Sequence, residues 1–164
     1  MESDSRTTGH GLVSERQLMT LFQIETEINA SADLVWVTVR DVERWPEWTP
    51  TVTSVRLRTP SPLAAGSCAV IRQPKLPSTL WRMVELDDSR RSFTWVNSAL
   101  GVRVVAKHSV VSVGERSRIE LSLRFDGMFA GILGFITRKL NNRYLALEAQ
   151  GLKSRVEAAA SSAQ

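Results

Sequence analysis

Residues 41–50 read DVERWPEWTP, and the way they follow INASADLVWVTVR at 28–40 decides the fold. Trp45 and Trp48 flank Pro46 where a helical pattern gives way to a strand pattern. Before them, Ser31 offers an N-cap oxygen and Asp33 an acid for a first helical turn. Leu34, Val35, Val39 and Val42 then make a helical stripe, with Trp36 to one flank. Pro46 disfavours helical geometry for Trp45, the residue before it. The reading is a short helix, then a link with at most one further helical turn around residues 42–48. Trp48 is expected to plug the core between helices and sheet, and an extended Trp45 to face the entrance of whatever the fold encloses.

Working outward, the upstream segment LFQIETEINA alternates, with Phe22, Ile24, Thr26 and Ile28 on one side. Downstream, TVTSVRLR, SCAVIRQ, TLWRMVELDD, SFTWVNSAL, VRVVAKHSVVSV and SRIELSLRFDG alternate in the same way. Turn-rich links join them, which predicts a meander of hairpins. Simple alternation puts Trp81, Met83 and Glu85 on one side, and Val102, Val104, Ala106, His108 and Val110 on another. From Met128 to about Ala160 the period changes. Phe129, Leu133, Ile136, Leu140, Tyr144 and Leu147 recur at three- and four-residue steps and predict one apolar helix face. Gly151 near that face marks a close contact or a bend. The order is strand, two short helices, six antiparallel strands and one long helix, an α+β arrangement. A single helix cannot fill all the space under a curved seven-stranded sheet, so a cavity is expected.

The 164 residues suit one domain. Residues 20–160 are expected to form it. Residues 1–19, rich in Ser, Thr, Gly and charge and without the apolar run of a signal peptide, are expected to be a flexible tail. The net charge of +4 is small and scattered, so no nucleic-acid partner is expected. The basic stretch RKLNNR at 138–143 reads as a solvated helix face. Cys68, the one cysteine, reads as a buried strand residue, and its solitude points to the cytoplasm. With one Cys and only His10 and His108, no metal site or cofactor is expected. The longest apolar run, GMFAGILGFIT at 127–137, is far short of the roughly 20 residues that cross a bilayer, so no stable membrane insertion is expected.

INASADLVWVTVRDVERWPEWTP, WRMVELDDSRRSFTWVNSALGVRVVAKHSV and SRIELSLRFDGMFAGILGFITRKLNNRYLALEAQGLKSRVE together resemble the polyketide cyclase/dehydrase branch of the SRPBCC (START-like) superfamily. The resemblance covers about residues 20–158. It implies the helix-grip fold, a curved sheet wrapped around a long C-terminal helix with two short helices between strands 1 and 2. It also implies a pocket between sheet and helix for a lipid, sterol, polyketide or other largely apolar ring compound. It transfers no catalytic residue.

Candidates for chemistry therefore come from the residues themselves. His108, in phase with an apolar face, could exchange a proton with a bound carbonyl or enol, or be a bonded core histidine. No acid is placed by the sequence to orient it. Arg72, ahead of Arg82, is a candidate clamp for a carboxylate or phenolate. Asn97, in phase with Phe93 and Trp95, and Tyr144, the one tyrosine, are candidate partners for a ligand oxygen. Glu85 is a candidate base if buried. Trp81, Met83, Trp95 and Phe93 form an aromatic and thioether surface suited to a planar ligand, with Trp45 at the mouth. Three functions fit: a module that binds a small hydrophobic ligand, a polyketide aromatase/cyclase or dehydratase, and a protein-interaction module with a collapsed pocket. The sequence does not set the oligomeric state.

Overall fold

A computed structural model describes residues 19–59, 62–99 and 101–162. The expected flexible tail, apart from its last residue, and His10 lie outside the described residues. The chain forms β1 (Thr20–Ile28), α1 (Ala32–Arg40), a 3-10 helix (Val42–Glu47), β2 (Ser54–Leu57), β3 (Cys68–Arg72), β4 (Thr79–Asp87), β5 (Ser92–Ala99), β6 (Val102–Val113), β7 (Arg116–Gly127) and α2 (Ala130–Ser162). The strands make one antiparallel sheet in the order β1-β7-β6-β5-β4-β3-β2. Five hairpins follow the chain from β2 to β7, and β1 closes on β7 across the excursion through α1.

Local chemistry explains the start. The Ser31 hydroxyl accepts from the Leu34 backbone N–H at 3.4 Å, capping α1. Ala32, Val35, Trp36 and Val39 are buried, so Trp36 belongs to the stripe instead of flanking it, and its indole N–H reaches Asp88 at 3.0 Å. The two tryptophans of DVERWPEWTP differ from their expected exposure. Pro46 does not hold Trp45 extended, because both lie inside the 3-10 helix, whose tight turn tolerates a proline that has no N–H to donate. Trp45 is the buried ring and donates to the Val39 carbonyl at 2.8 Å. Trp48 is half-buried.

Two other expectations fail for physical reasons. The register slips between Met83 and Glu85, so two residues of β4 oppose one of β5. That bulge turns Leu86 inward opposite Phe93 and sends Glu85 outward beside Thr94. The face of α2 also differs. Its buried residues are Ala130, Gly134, Asn141, Leu145, Ala149, Leu152 and Val156, whereas Phe129 and Ile136 are exposed. The helix packs on β1 and β7, and such close approach requires small residues. A Cβ at Gly134 would press on the Thr20 side chain at 2.7 Å. A Cβ at Gly151 would collide with the Trp48 carbonyl. Gly151 is therefore a contact point and not a bend. The helix runs unbroken through it for 33 residues, roughly 50 Å.

The core is continuous at the end of the sheet where Ile28, Val35, Val39, Ile119, Leu152 and Val156 are fully enclosed. There the C-terminal turns of α2 are fastened to β1. Glu157 accepts from the Asn29 N–H at 2.7 Å and from Lys153 at 2.9 Å, and Lys153 also reaches the Glu27 carbonyl at 2.7 Å. Toward the N-terminal half of α2 the packing opens into a cavity.

Candidate functional site

The cavity holds about 300 Å³ between the inner face of β3–β7, the 3-10 helix and α2. Its wall is mostly aliphatic and aromatic, with Val52, Ile71, Val104, Leu121, Leu123 and Phe125 among its lining. That volume lies at the lower end of the range for small-molecule sites. A larger depression of about 460 Å³ at the ends of β5, β6 and β7, beside Gly101 and Arg103, is shallow and open.

His108 is on the cavity wall and buried, with 6% of its surface exposed. Register brings it opposite Phe93 on β5 and Leu121 on β7. Its ring stacks on Phe93 at 4.5 Å between centroids, inclined by 21°, and meets Trp45 at 5.2 Å. Across the cavity α2 presents Glu148, whose Oε1 stands 2.7 Å from His108 Nε2. With a carboxylate at this distance Nε2 is the donor, and in the neutral tautomer that donates from Nε2 the acceptor nitrogen is Nδ1. Nδ1 is buried and has no partner. The acid that sequence reasoning failed to place is thus supplied from 40 residues away.

Other predicted residues divide cleanly. Trp45, Trp81, Trp95, Asn97 and Tyr144 all line the cavity. Trp95 is fully buried and its indole N–H has no protein partner. Trp81 donates to Thr79 at 2.9 Å. Asn97 donates to the Leu80 carbonyl at 2.7 Å. The Tyr144 hydroxyl donates to the Pro74 carbonyl and ties α2 to the β3–β4 turn, whose Leu76 and Pro77 also line the cavity. Burial pushes the Tyr144 hydroxyl above its usual range, against the opposing pull of Arg143.

Four candidates are misplaced. Arg72 is exposed, on the opposite side of β3 from the cavity-lining Ile71, and Arg82 is exposed on β4. A strand has only two faces, and the inner one of β3 is already taken by Ala69 and Ile71. Met83 is completely enclosed behind the wall, paired with Trp95. Glu85 is turned out by the bulge. Cys68 is half-buried at the first position of β3.

Sequence reasoning also missed Thr137 and Asn141. Both line the cavity, and Asn141 donates to Thr137 at 2.8 Å. With Tyr144 and Glu148 they recur at steps of three and four along α2, a polar stripe on the inward face. That periodicity was visible in the text and pointed to a cavity opposite it. Among the described residues no group of three or more His, Cys, Asp or Glu could hold a metal ion, and no helix is long and apolar enough to cross a membrane.

The sequence profile of the family described as polyketide cyclase/dehydrase and lipid transport matches residues 19–157. No curated protein matches the chain in sequence. Among solved structures, the Zhui aromatase/cyclase of a Streptomyces species superposes with a TM-score of 0.70 at 18% identity, over 85% of this chain and 94% of that one. Norcoclaurine synthase from Thalictrum flavum superposes at 0.68 and 18% identity, over 94% and 96%. A START superfamily protein from Mycobacterium smegmatis superposes at 0.67 and 18%, over 84% and 97%. At these identities the likeness is one of fold.

Proposed function

The chain belongs to the polyketide cyclase/dehydrase and lipid transport family, and from that membership and the cavity we propose that it binds a small, largely apolar ring compound carrying a hydrogen-bonding oxygen. The observation that carries the reading is an apolar cavity of about 300 Å³ into which a few polar groups converge. The Trp95 indole N–H has no protein partner there. A buried donor left unpaired costs about 1–3 kcal/mol, and a ligand oxygen would recover that cost. The aromatic walls from Trp45, Trp81 and Trp95 favour stacking on a planar molecule. An open cavity gives no support to an interaction module with a collapsed pocket.

The test is a thermal-shift and NMR titration against flavonoids, polyketides, fatty acids, sterols and quinones. An Ala106→Phe variant, which fills the cavity from β6, serves as control. A ring compound should stabilise the protein and shift resonances of β5, β6 and α2, and the filled variant should lose the effect. Silence across the panel would sink the reading.

A second reading, an aromatase/cyclase or dehydratase, is favoured by the His108–Glu148 pair. A buried imidazole oriented by a carboxylate is the arrangement that moves a proton to or from a ketone or enol, a contribution of about 10²–10⁴ in rate. In this reading the cavity holds the chain of a poly-ketone in one conformation, and Trp95 donates to the developing enolate oxygen. A His108→Ala variant separates the two functions. Retained affinity with lost turnover favours the enzyme, and unchanged behaviour favours the carrier. Norcoclaurine synthase has been captured with dopamine and hydroxybenzaldehyde, small ring compounds of the class proposed here.

A further inference from the structure

The first turns of α2 carry an outward face that the cavity does not explain. Met128, Ile132, Phe135 and Ile136 are 77%, 63%, 79% and 71% exposed. Ile132, Phe135 and Ile136 share one helix face by their three- and four-residue steps. The same face continues through Lys139 and Arg143, both exposed. No acidic residue occurs from Gly127 to Leu147. The stripe is thus sorted along its axis, with bulky apolar tips first and cations one to two turns later. At 1.5 Å per residue, Lys139 stands roughly 5 Å and Arg143 roughly 11 Å beyond Ile136.

We propose that this face docks the protein on an anionic phospholipid surface, with Ile132, Phe135 and Ile136 entering the acyl boundary and Lys139 and Arg143 meeting the headgroups. Apolar side chains of a surface-bound helix sink about 5–10 Å into the interface, and the long stems of Lys139 and Arg143 let their charges reach back to the headgroups. The face lies on the surface and does not cross it, since no helix of the described residues is long and apolar enough to do so. A second copy of the chain is the weaker occupant. A stable dimer needs roughly 800 Å² per partner, which Ile132, Phe135 and Ile136 would not reach even if each exposed the roughly 250 Å² of a large aromatic side chain.

The same turns line the cavity on their inner side through Leu133 and Thr137. The docked surface would therefore lie about one helix diameter, roughly 10 Å, from the cavity. The docking itself rests on the outer face alone and stands whether or not the cavity reading holds.

The test is co-sedimentation of the full chain with phosphatidylcholine vesicles and with phosphatidylcholine–phosphatidylserine vesicles, alongside sedimentation velocity without lipid. The wild-type protein should partition onto the mixed vesicles and much less onto the neutral ones, and rising salt should weaken binding. Removing a cation should cost about fivefold in partitioning, so Lys139→Glu with Arg143→Glu should bring binding down to the neutral-vesicle level. Phe135→Ser with Ile136→Ser, at largely exposed positions, should leave the melting temperature unchanged and lose at least roughly tenfold. Failure of the wild type to bind the mixed vesicles, or binding indifferent to both double variants, overturns the proposal. A lipid-free dimer that the Phe135→Ser/Ile136→Ser protein dissolves would reassign the face to a second copy.

Discussion

Replacing Glu148 by Leu removes the one partner of a histidine that is 6% exposed. Nδ1 already has none, so both ring nitrogens would then be unpaired against Phe93 and Trp45. Leaving a buried polar group unsatisfied costs about 1–3 kcal/mol. For a chain of this size that corresponds to a fall of roughly 2–4 °C in Tm per kcal/mol, so about 4–8 °C is expected at the middle of the range. His108→Leu should cost less, because the stranded carboxylate of Glu148 still faces a cavity that water can enter. The double replacement removes both polar partners and enlarges the apolar wall, and such paired removals are near neutral. The two single losses should therefore exceed the double loss by about 1.5–3 kcal/mol, the coupling of a hydrogen bond to a charged group. Urea and thermal unfolding of the four proteins measure it, provided their m-values agree. Glu148→Gln is the control for geometry. Its amide oxygen still accepts from Nε2–H, so stability should change by less than about 1 kcal/mol, while any proton transfer that relies on the carboxylate charge is lost. A coupling below about 0.5 kcal/mol would refute the pair, because independent sites already agree within that margin.

Two further outcomes follow from the packing of α2. Gly151→Ala should gain about 1 kcal/mol of helix propensity and lose more than that through the collision with the Trp48 carbonyl. Net destabilisation by chemical denaturation is expected, and a more stable variant would show that the helix does not press on the 3-10 segment. The Glu157 carboxyl is held below its usual range, first by the Asn29 N–H and then by Lys153. A depressed folded-state pKa contributes stability above the unfolded value, near pH 4.3, and that stability is lost as the pH falls through the folded one. Glu157→Gln should lower Tm by about 1–2 °C at neutral pH, a small effect because the pair is solvent-screened. The gap to wild type should close in acid, and one that persists unchanged at about pH 3 contradicts the assignment.

The sheet was legible because its signal is redundant. Each of the strands after β1 alternates, each link carries turn residues, and the Ser31 cap marks the one helix that interrupts the strands. An error in one segment cannot change the topology. Alternation fails only where the backbone inserts a residue. The bulge at Met83–Glu85 leaves no sign in TLWRMVELDD, so the side of Glu85 was assigned by a period that the backbone does not keep.

The long helix was found but faced wrongly, and the reason bears on the site. Choosing its inner face from its largest apolar residues assumes that bulk belongs inside. Here the inner face is set by how near the helix can come to β1 and to Trp48, which selects Gly134, Ala149 and Gly151. Where the helix stands away from the sheet, that face is instead polar, with Thr137, Asn141 and Glu148 lining the cavity. Ile136, expected inside, is left on the outer face beside Ile132 and Phe135, all three exposed. One misjudged face thus hid both the carboxylate that orients His108 and the apolar–cationic stripe on the far side. The same reasoning reassigns the tryptophans of DVERWPEWTP. Trp45 is the ring that the closed end of the cavity needs against His108, whereas Trp48 contributes its backbone carbonyl as the surface on which Gly151 rests.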